Sequence, residues 1–181
     1  HDQAVSARIA AICIEMGPRT APLLIKTLRD GEPKARFWAA KILGEIADPR
    51  ATRALCDSLQ DSDPDVRSAT TWAVGNVADR ATAPIVAPLL QDPVWYVRAH
   101  AAQALGKIGD PGYVAPLADA LKDVSWWVRK NALDSLVKLG EPSKPVLFTA
   151  LESEDRFARD SAVDALMSLG VTAIVPRREG A

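Results

Sequence analysis

DPVWYVRAHAAQALGKIGD, spanning Asp92 to Asp110, is not unique within its own chain. Upstream the sequence reads DPDVRSATTWAVGNVAD (Asp63–Asp79) and downstream DVSWWVRKNALDSLVKLGE (Asp123–Glu141). Asp30, Asp61, Asp92 and Asp123 recur every 31 residues, and Arg36, Arg67, Arg98 and Arg129 follow them at a constant offset of six. A further copy, DRFARDSAVDALMSLG (Asp155–Gly170), brings its Arg159 one position early. The missing residue falls in the turn Glu141–Pro145. VSARIAAICIEMG (Val5–Gly17) is a degenerate first copy, with Ser6 where the others carry Arg. A fixed period of this length marks a chain built from stacked supersecondary units.

Each period divides into two short helices. Val114, Leu117 and Leu121 share a three-to-four spacing in the first; Val97, Ala101, Leu105 and Ile108 do so in the second, called here the V-R helix. Asp63-Pro64 and Asp92-Pro93 read as an N-cap followed by Pro at the first helical position. Gly17, Gly109, Gly140 and Gly170 stand where a helix C-terminus takes a left-handed residue. Alternating β-branched residues are absent, so strands are not expected. Helices this short cannot bury an apolar stripe alone, whereas stacked pairs can. The expected organisation is a lone helix in 1–17, five helix pairs (18–47, 48–78, 79–109, 110–140 and 141–170) and a tail, 171–181. The start at His1 suggests a fragment, with a truncated repeat in front.

Composition sets the outer limits. Among 181 residues, 22 Lys and Arg face 23 Asp and Glu, for a net charge of −1, which argues against a surface that coats nucleic acid. No stretch approaches the length of a membrane span. Two His and two Cys leave little for metal or acid–base chemistry, and Cys13 and Cys56 read as small apolar side chains. No nucleophile–His–carboxylate order and no Gly-rich phosphate loop is present. The expectation is a non-enzyme with no cofactor and no metal.

The pattern D-x-x-x-x-V-R-x-x-A-A-x-A-L-G-x-I-G-D, followed by L-x-x-x-L, resembles the short HEAT-like repeats of phycobilisome (bilin) lyases over residues 5–170. Tetratricopeptide and ankyrin repeats fit less well, with periods of about 34 and 33 and other signature residues. The resemblance implies an all-α, right-handed α-α superhelix, a HEAT-like solenoid, with the V-R helices on the concave side. It also implies that the Asp and Arg residues (Asp30, Arg36, Asp61, Arg67, Asp92, Arg98, Asp123, Arg129 and Arg159) form a structural ladder between repeats. The departures are Ser6 and Ser153 at ladder positions, Thr70-Thr71 in place of an Ala pair, and Pro88, which should kink or shorten its helix. Gly44, Gly75 and Gly106 recur at one helical position and read as close helix packing.

Once core and ladder positions are removed, the V-R helices expose Phe37, Trp38, Lys41 and Glu45; Ser68, Ala69, Trp72 and Asn76; Ala99, His100, Gln103 and Lys107; and Lys130, Asn131, Asp134 and Lys138. These slots vary between copies while core and ladder do not. Eight of the ten aromatic residues lie on V-R helices or their leading turns, including Trp95, Tyr96, Trp126, Trp127 and Phe157. Trp38 and Trp72 are expected as surface contacts, one of Trp126 and Trp127 facing in and the other out, and the leading-turn aromatics chiefly as packing. The expected function is a non-catalytic scaffold that takes a protein or peptide on its concave face. The proposed contacts are Phe37, Trp38, Lys41, Trp72, Asn76, Trp95, Tyr96, His100, Gln103, Lys107, Trp127, Asn131 and Asp134. A monomer without nucleic acid and without a membrane segment is expected, and a cytoplasmic location is favoured. The alternatives are a nucleic-acid-binding HEAT-like protein using Lys107, Lys130, Lys138 and Arg98, or a bilin lyase subunit or chaperone.

Overall fold

The computed structural model describes residues 2–172, with side chains from Ala7 onward. The side chain of Ser6, and the expected tail from residue 173, lie outside the described residues. The described residues form helices and no strand. Helix α1 (Asp2–Met16) precedes α2 (Ala21–Asp30), and the V-R helices follow as α3 (Pro33–Ile46), α5 (Pro64–Val77), α7 (Trp95–Ile108), α9 (Trp126–Leu139) and α11 (Arg156–Ser168). Between them lie the shorter first helices α4 (Thr52–Asp57), α6 (Ala83–Val86), α8 (Val114–Asp119) and α10 (Lys144–Ala150). The chain is an all-α, right-handed HEAT-like solenoid in which consecutive V-R helices pack side by side as one layer.

The first helices of the middle repeats are not continuous α-helices. α4, α6 and α8 pass into 3₁₀ turns at Ser58–Gln60, Ala87–Gln91 and Ala120–Lys122. Pro88 accompanies the shortest of these helices, which ends at Val86, in keeping with a ring that removes a donor and clashes with the preceding turn.

Burial follows the period. Leu28, Leu55, Leu59, Leu117, Leu121 and Leu147 of the first helices meet Leu43, Val74, Leu105, Leu136 and Leu166 of the V-R helices in one continuous core. Each repeat therefore depends on its neighbour for a wall of the core. Thr70 and Thr71 are fully buried, yet their hydroxyls donate at 2.7 Å to Val66 O and Arg67 O, so the departure from Ala leaves no polar atom unmatched.

The three recurrent glycines let backbones touch. A Cβ on Gly75 would lie 2.8 Å from Cα of Ala104, and one on Gly106 would lie 2.9 Å from Cα of Ser135. At Gly44 it would meet the Trp72 ring at 2.6 Å and Ala73 Cα at 2.8 Å.

Helix ends depart from the sequence expectation in two ways. Asp63 caps α5 through the N–H groups of Asp65 and Val66, but the cap position of α7 is Val94. Asp92 sits two residues earlier and accepts from the Val94 N–H instead. The reason is register: Asp92 repeats Asp61, not Asp63. At the C-termini, Gly109 is left-handed as expected, whereas α3 and α5 place Ala47 (φ 51°) and Ala78 (φ 56°) in that region.

Candidate functional site

The ladder links successive repeats. Arg36 Nε and Nη2 each donate to Asp61 at 2.7 Å, Arg67 pairs with Asp92 at 2.8 and 3.1 Å, and Arg98 with Asp123 at 2.6 and 2.9 Å. The third nitrogen, Nη1, turns back to its own repeat, donating to Gly31 O, Asp61 O and Asp92 O respectively. Each Asp also accepts from a backbone N–H two residues on, at Asp63, Val94 and Ser125. Burial acts to raise the Asp61 and Asp123 pKa values, but the Arg forks and these N–H bonds outweigh it and hold both carboxylates below their ordinary range. Committed in this way, the Arg row presents no free cationic stripe over these three rungs.

The series stops at Arg129. Ser153 stands where the next Asp would be; its Oγ accepts from Asp155 N–H at 3.2 Å but does not reach the guanidinium. Arg129 keeps its Nη1 bonds to Asp123 O and Val124 O, and its guanidinium carbon lies 4.0 Å from the Phe157 ring centroid. Arg159 donates to Ser153 O and Glu154 O.

On the exposed side of the V-R layer, Trp72 is the centre of a cationic cluster. Lys41 Nζ sits 3.9 Å from its ring centroid and Lys107 Nζ 5.7 Å away. Lys107 also donates to Asn76 Oδ1 at 2.5 Å, while Asn76 Nδ2 donates to Gly44 O at 3.1 Å, so α3, α5 and α7 are stitched together beneath the indole. Burial lowers the Lys107 pKa, and the nearby Lys138 and Lys41 add to this against Glu45. His100 shares a 2.7 Å hydrogen bond with Ser68 Oγ. Its pKa is lowered, first by burial and then by Lys41 and Lys107, against the Ser68 bond. The row Lys41, Trp72, Gln103 and Asp134 occupies one register and is half-buried or exposed throughout.

Several expected free contacts already have partners. Asn131 donates to Ala99 O at 2.9 Å, Tyr96 donates to Asp65 Oδ1 at 2.8 Å, and Asp134 pairs with Lys130 within α9. Ser68, Ala69 and Ala99 were expected on the surface but are buried, because the neighbouring V-R helix closes over them. Cys13 and Cys56 are free thiols, each half-buried, and burial pushes Cys56 up, with Asp57 and Asp79 adding to the shift.

The aromatic side chains differ among themselves in exposure. Trp38 and Trp72, expected as surface contacts, are half-buried and packed on the core. Trp38 lines a groove with Ile9, Cys13 and Leu23, and also faces a cleft with Phe37, Pro33 and Asp65. Trp126 and Trp127 do not divide between inside and outside: both are exposed, at 54% and 56%, in an edge-to-face pair with centroids 4.8 Å apart. Trp95 (45%) and Phe157 (51%) are exposed as well, and Val124, which sequence reasoning passed over, is 90% exposed. The signal for Val124 was available, since its equivalents in two other repeats are Pro93 and Ser62, turn positions outside the helical stripe.

No helix among the described residues is long and apolar enough to cross a membrane. Comparison with known proteins matches the HEAT repeats family at residues 1–75, 52–124 and 114–176. No curated protein matches the chain. Among solved structures, the complex of CpcE and CpcF of phycocyanin lyase from Nostoc sp. PCC7120 aligns with a TM-score of 0.66 and 23% identity, over 83% of this chain and 65% of that one. The chain thus spans about 65% of the length of that relative. An engineered protein aligns with a TM-score of 0.63 and 21% identity, over 82% of this chain and 78% of that one. A designed armadillo repeat protein in complex with peptide (KR)4 aligns with a TM-score of 0.61 and 19% identity, over 92% of each chain.

Proposed function

The chain belongs to the HEAT-repeat family, and from that premise we propose that it is a non-catalytic scaffold that binds a protein or peptide on the concave face of its V-R helices. The observation that carries the reading is the row Lys41, Trp72, Gln103 and Asp134. One register position across four stacked helices holds four chemically different side chains, while the core beneath repeats. Packing alone would favour the same residue in each copy; a surface that meets an irregular partner would not.

The half-buried Trp72 is held in one orientation by Gly44 beneath it and Lys41 above it. A rigid aromatic surface costs little rotamer entropy to bind and suits an interface anchor. Lys41 already covers one face of the indole, which disfavours base stacking and with it the nucleic-acid alternative. The peptide complex of the designed armadillo neighbour supports the reading at the level of fold.

The test is partner capture from the native host, using the intact chain and the Lys41→Ala/Gln103→Ala variant. Both positions are half-buried or exposed, so the fold should survive. Partners retained equally by both proteins would defeat the assignment. Pigment copurifying with the chain would favour the bilin-lyase-type role instead.

A further inference from the structure

We infer that Arg129, with Trp126, Trp127 and Phe157, forms a second docking site at the leading-turn edge of α9 and α11, and that it takes a partner segment presenting a single Asp or Glu carboxylate flanked by apolar side chains. The site lies at the leading turns, apart from the row Lys41, Trp72, Gln103 and Asp134, and does not rest on the assignment made there.

The argument starts from repetition within the molecule. In three rungs, an Arg anchored by Nη1 to its own turn extends Nε and Nη2 as a fork, and a carboxylate from the next repeat fills it at 2.6–3.1 Å. Arg129 is anchored in the same way, to Asp123 O at 2.7 Å and Val124 O at 3.1 Å. Among the described residues, no carboxylate meets its Nε and Nη2 edge, because position 153 is Ser. Phe157 supports one face of the guanidinium and leaves the in-plane donors available. The fork is therefore positioned for the ligand that its three counterparts already hold, and bidentate carboxylate binding is the strong mode for Arg.

The surroundings select the rest of the ligand. Phe157 lies against the guanidinium, and Val124, Trp126 and Trp127, like it at least half exposed, add apolar surface at the leading turn of the same helix. Arg together with Trp is the composition enriched at interface hot spots. Glu152, Glu154 and Asp155 on the adjoining turn repel a polyanion such as nucleic acid more strongly than a single carboxylate, and one carboxylate between apolar residues matches one fork set among exposed apolar side chains.

The experiment titrates the intact protein with a blocked Gly-Leu-Asp-Leu-Gly peptide, following the Arg129 Nε–H and the Trp126 and Trp127 indole N–H signals by NMR. Saturable shifts are expected, with about tenfold weaker binding of the same peptide carrying Asn for Asp. Ser153→Asp supplies the missing carboxylate internally, so it should raise the unfolding midpoint and weaken peptide binding by about tenfold or more. Absence of saturable shifts, equal affinity for the Asp and Asn peptides, or undiminished binding by Ser153→Asp would each overturn the inference. Concentration-dependent dimerisation that Ser153→Asp reverses would give the site to a second copy of the chain, and would overturn the assignment to a separate partner. Partner capture through Lys41 and Gln103 could succeed or fail independently of all these outcomes.

Discussion

Arg67 reaches across a repeat boundary to clasp Asp92, 25 residues away, with both Nε and Nη2, while its Nη1 holds the backbone of its own turn at Asp61 O. One side chain thus fixes two successive turns relative to each other. Both partners are largely shielded, with 14% of the Arg67 side chain and 5% of the Asp92 side chain exposed. Truncating either one leaves the other short of a partner in a site poor in water. Asp92→Ala should therefore lower unfolding stability by about 3 kcal/mol. Glu141→Ala, which removes a surface pair with Lys144, should change it by less than about 0.5 kcal/mol. Urea titrations of the two variants make the comparison, and equal effects would refute a structural role for the ladder.

The glycine positions give an independent measure of how closely the V-R helices approach. Gly75→Ala puts a methyl 2.8 Å from Cα of Ala104, where backbone rather than a flexible side chain has to move. A loss of about 1–3 kcal/mol in thermal or chemical unfolding is expected. A neutral outcome would mean that the layer is looser than these distances state.

Ala78 offers the opposite sign. It is exposed and left-handed, a conformation that costs a residue with a Cβ about 1 kcal/mol and glycine almost nothing. Ala78→Gly should raise the unfolding midpoint even though glycine adds entropy to the unfolded chain. A lower midpoint would contradict the observed helix end.

The different exposures of the tryptophans separate in stability measurements. Trp38→Ala removes a ring packed on the core and should cost about 2 kcal/mol, below the range for a fully buried Trp. Trp126→Ala and Trp127→Ala remove rings that are more than half exposed and should each cost less than about 0.5 kcal/mol. Differential scanning calorimetry of the three variants would distinguish packing from display.

Acid should act in two stages. The pKa of His100 is lowered in the folded chain, mainly by burial and then by Lys41, so the unfolded chain takes up its proton first as pH falls. Stability is full above the ordinary His value of about 6.5 and declines as pH drops below it towards the folded value. The carboxylates of Asp61 and Asp123 are also lowered, with the Arg36 and Arg98 forks overcoming burial. Their contribution is present above the ordinary carboxylate value of about 4 and is lost at lower pH. His100→Gln should remove the first stage of the pH–stability curve and leave the second intact. A curve unchanged by that variant would exclude His100 as the origin of the first stage.

What could be read from the sequence was whatever depends on period. Thirty-one-residue spacing, the Leu and Val stripes and the Gly positions follow from local rules that each copy obeys, so the solenoid and the V-R layer were legible in the letters. Even so, the register of the Asp residues misled: Asp92 resembles a cap by its following Pro, yet it repeats Asp61 and serves the ladder. The solvent exposure of the tryptophans was not legible. It depends on how far neighbouring helices in the stack reach over a given slot, as where the Trp72 ring packs against Gly44 of the preceding repeat.

By itself, therefore, the sequence determined a stack of helical hairpins and the position, Ser153, at which the Asp of the repeat is lost. Only the tertiary structure decided that Lys41 and Lys107 gather at the Trp72 ring, that Trp126 and Trp127 both stand in solvent, and that Arg129 holds an open fork. The physical reason is that helical periodicity is encoded within a few residues of each position, whereas exposure and pairing in a solenoid are fixed by a neighbour some thirty residues away.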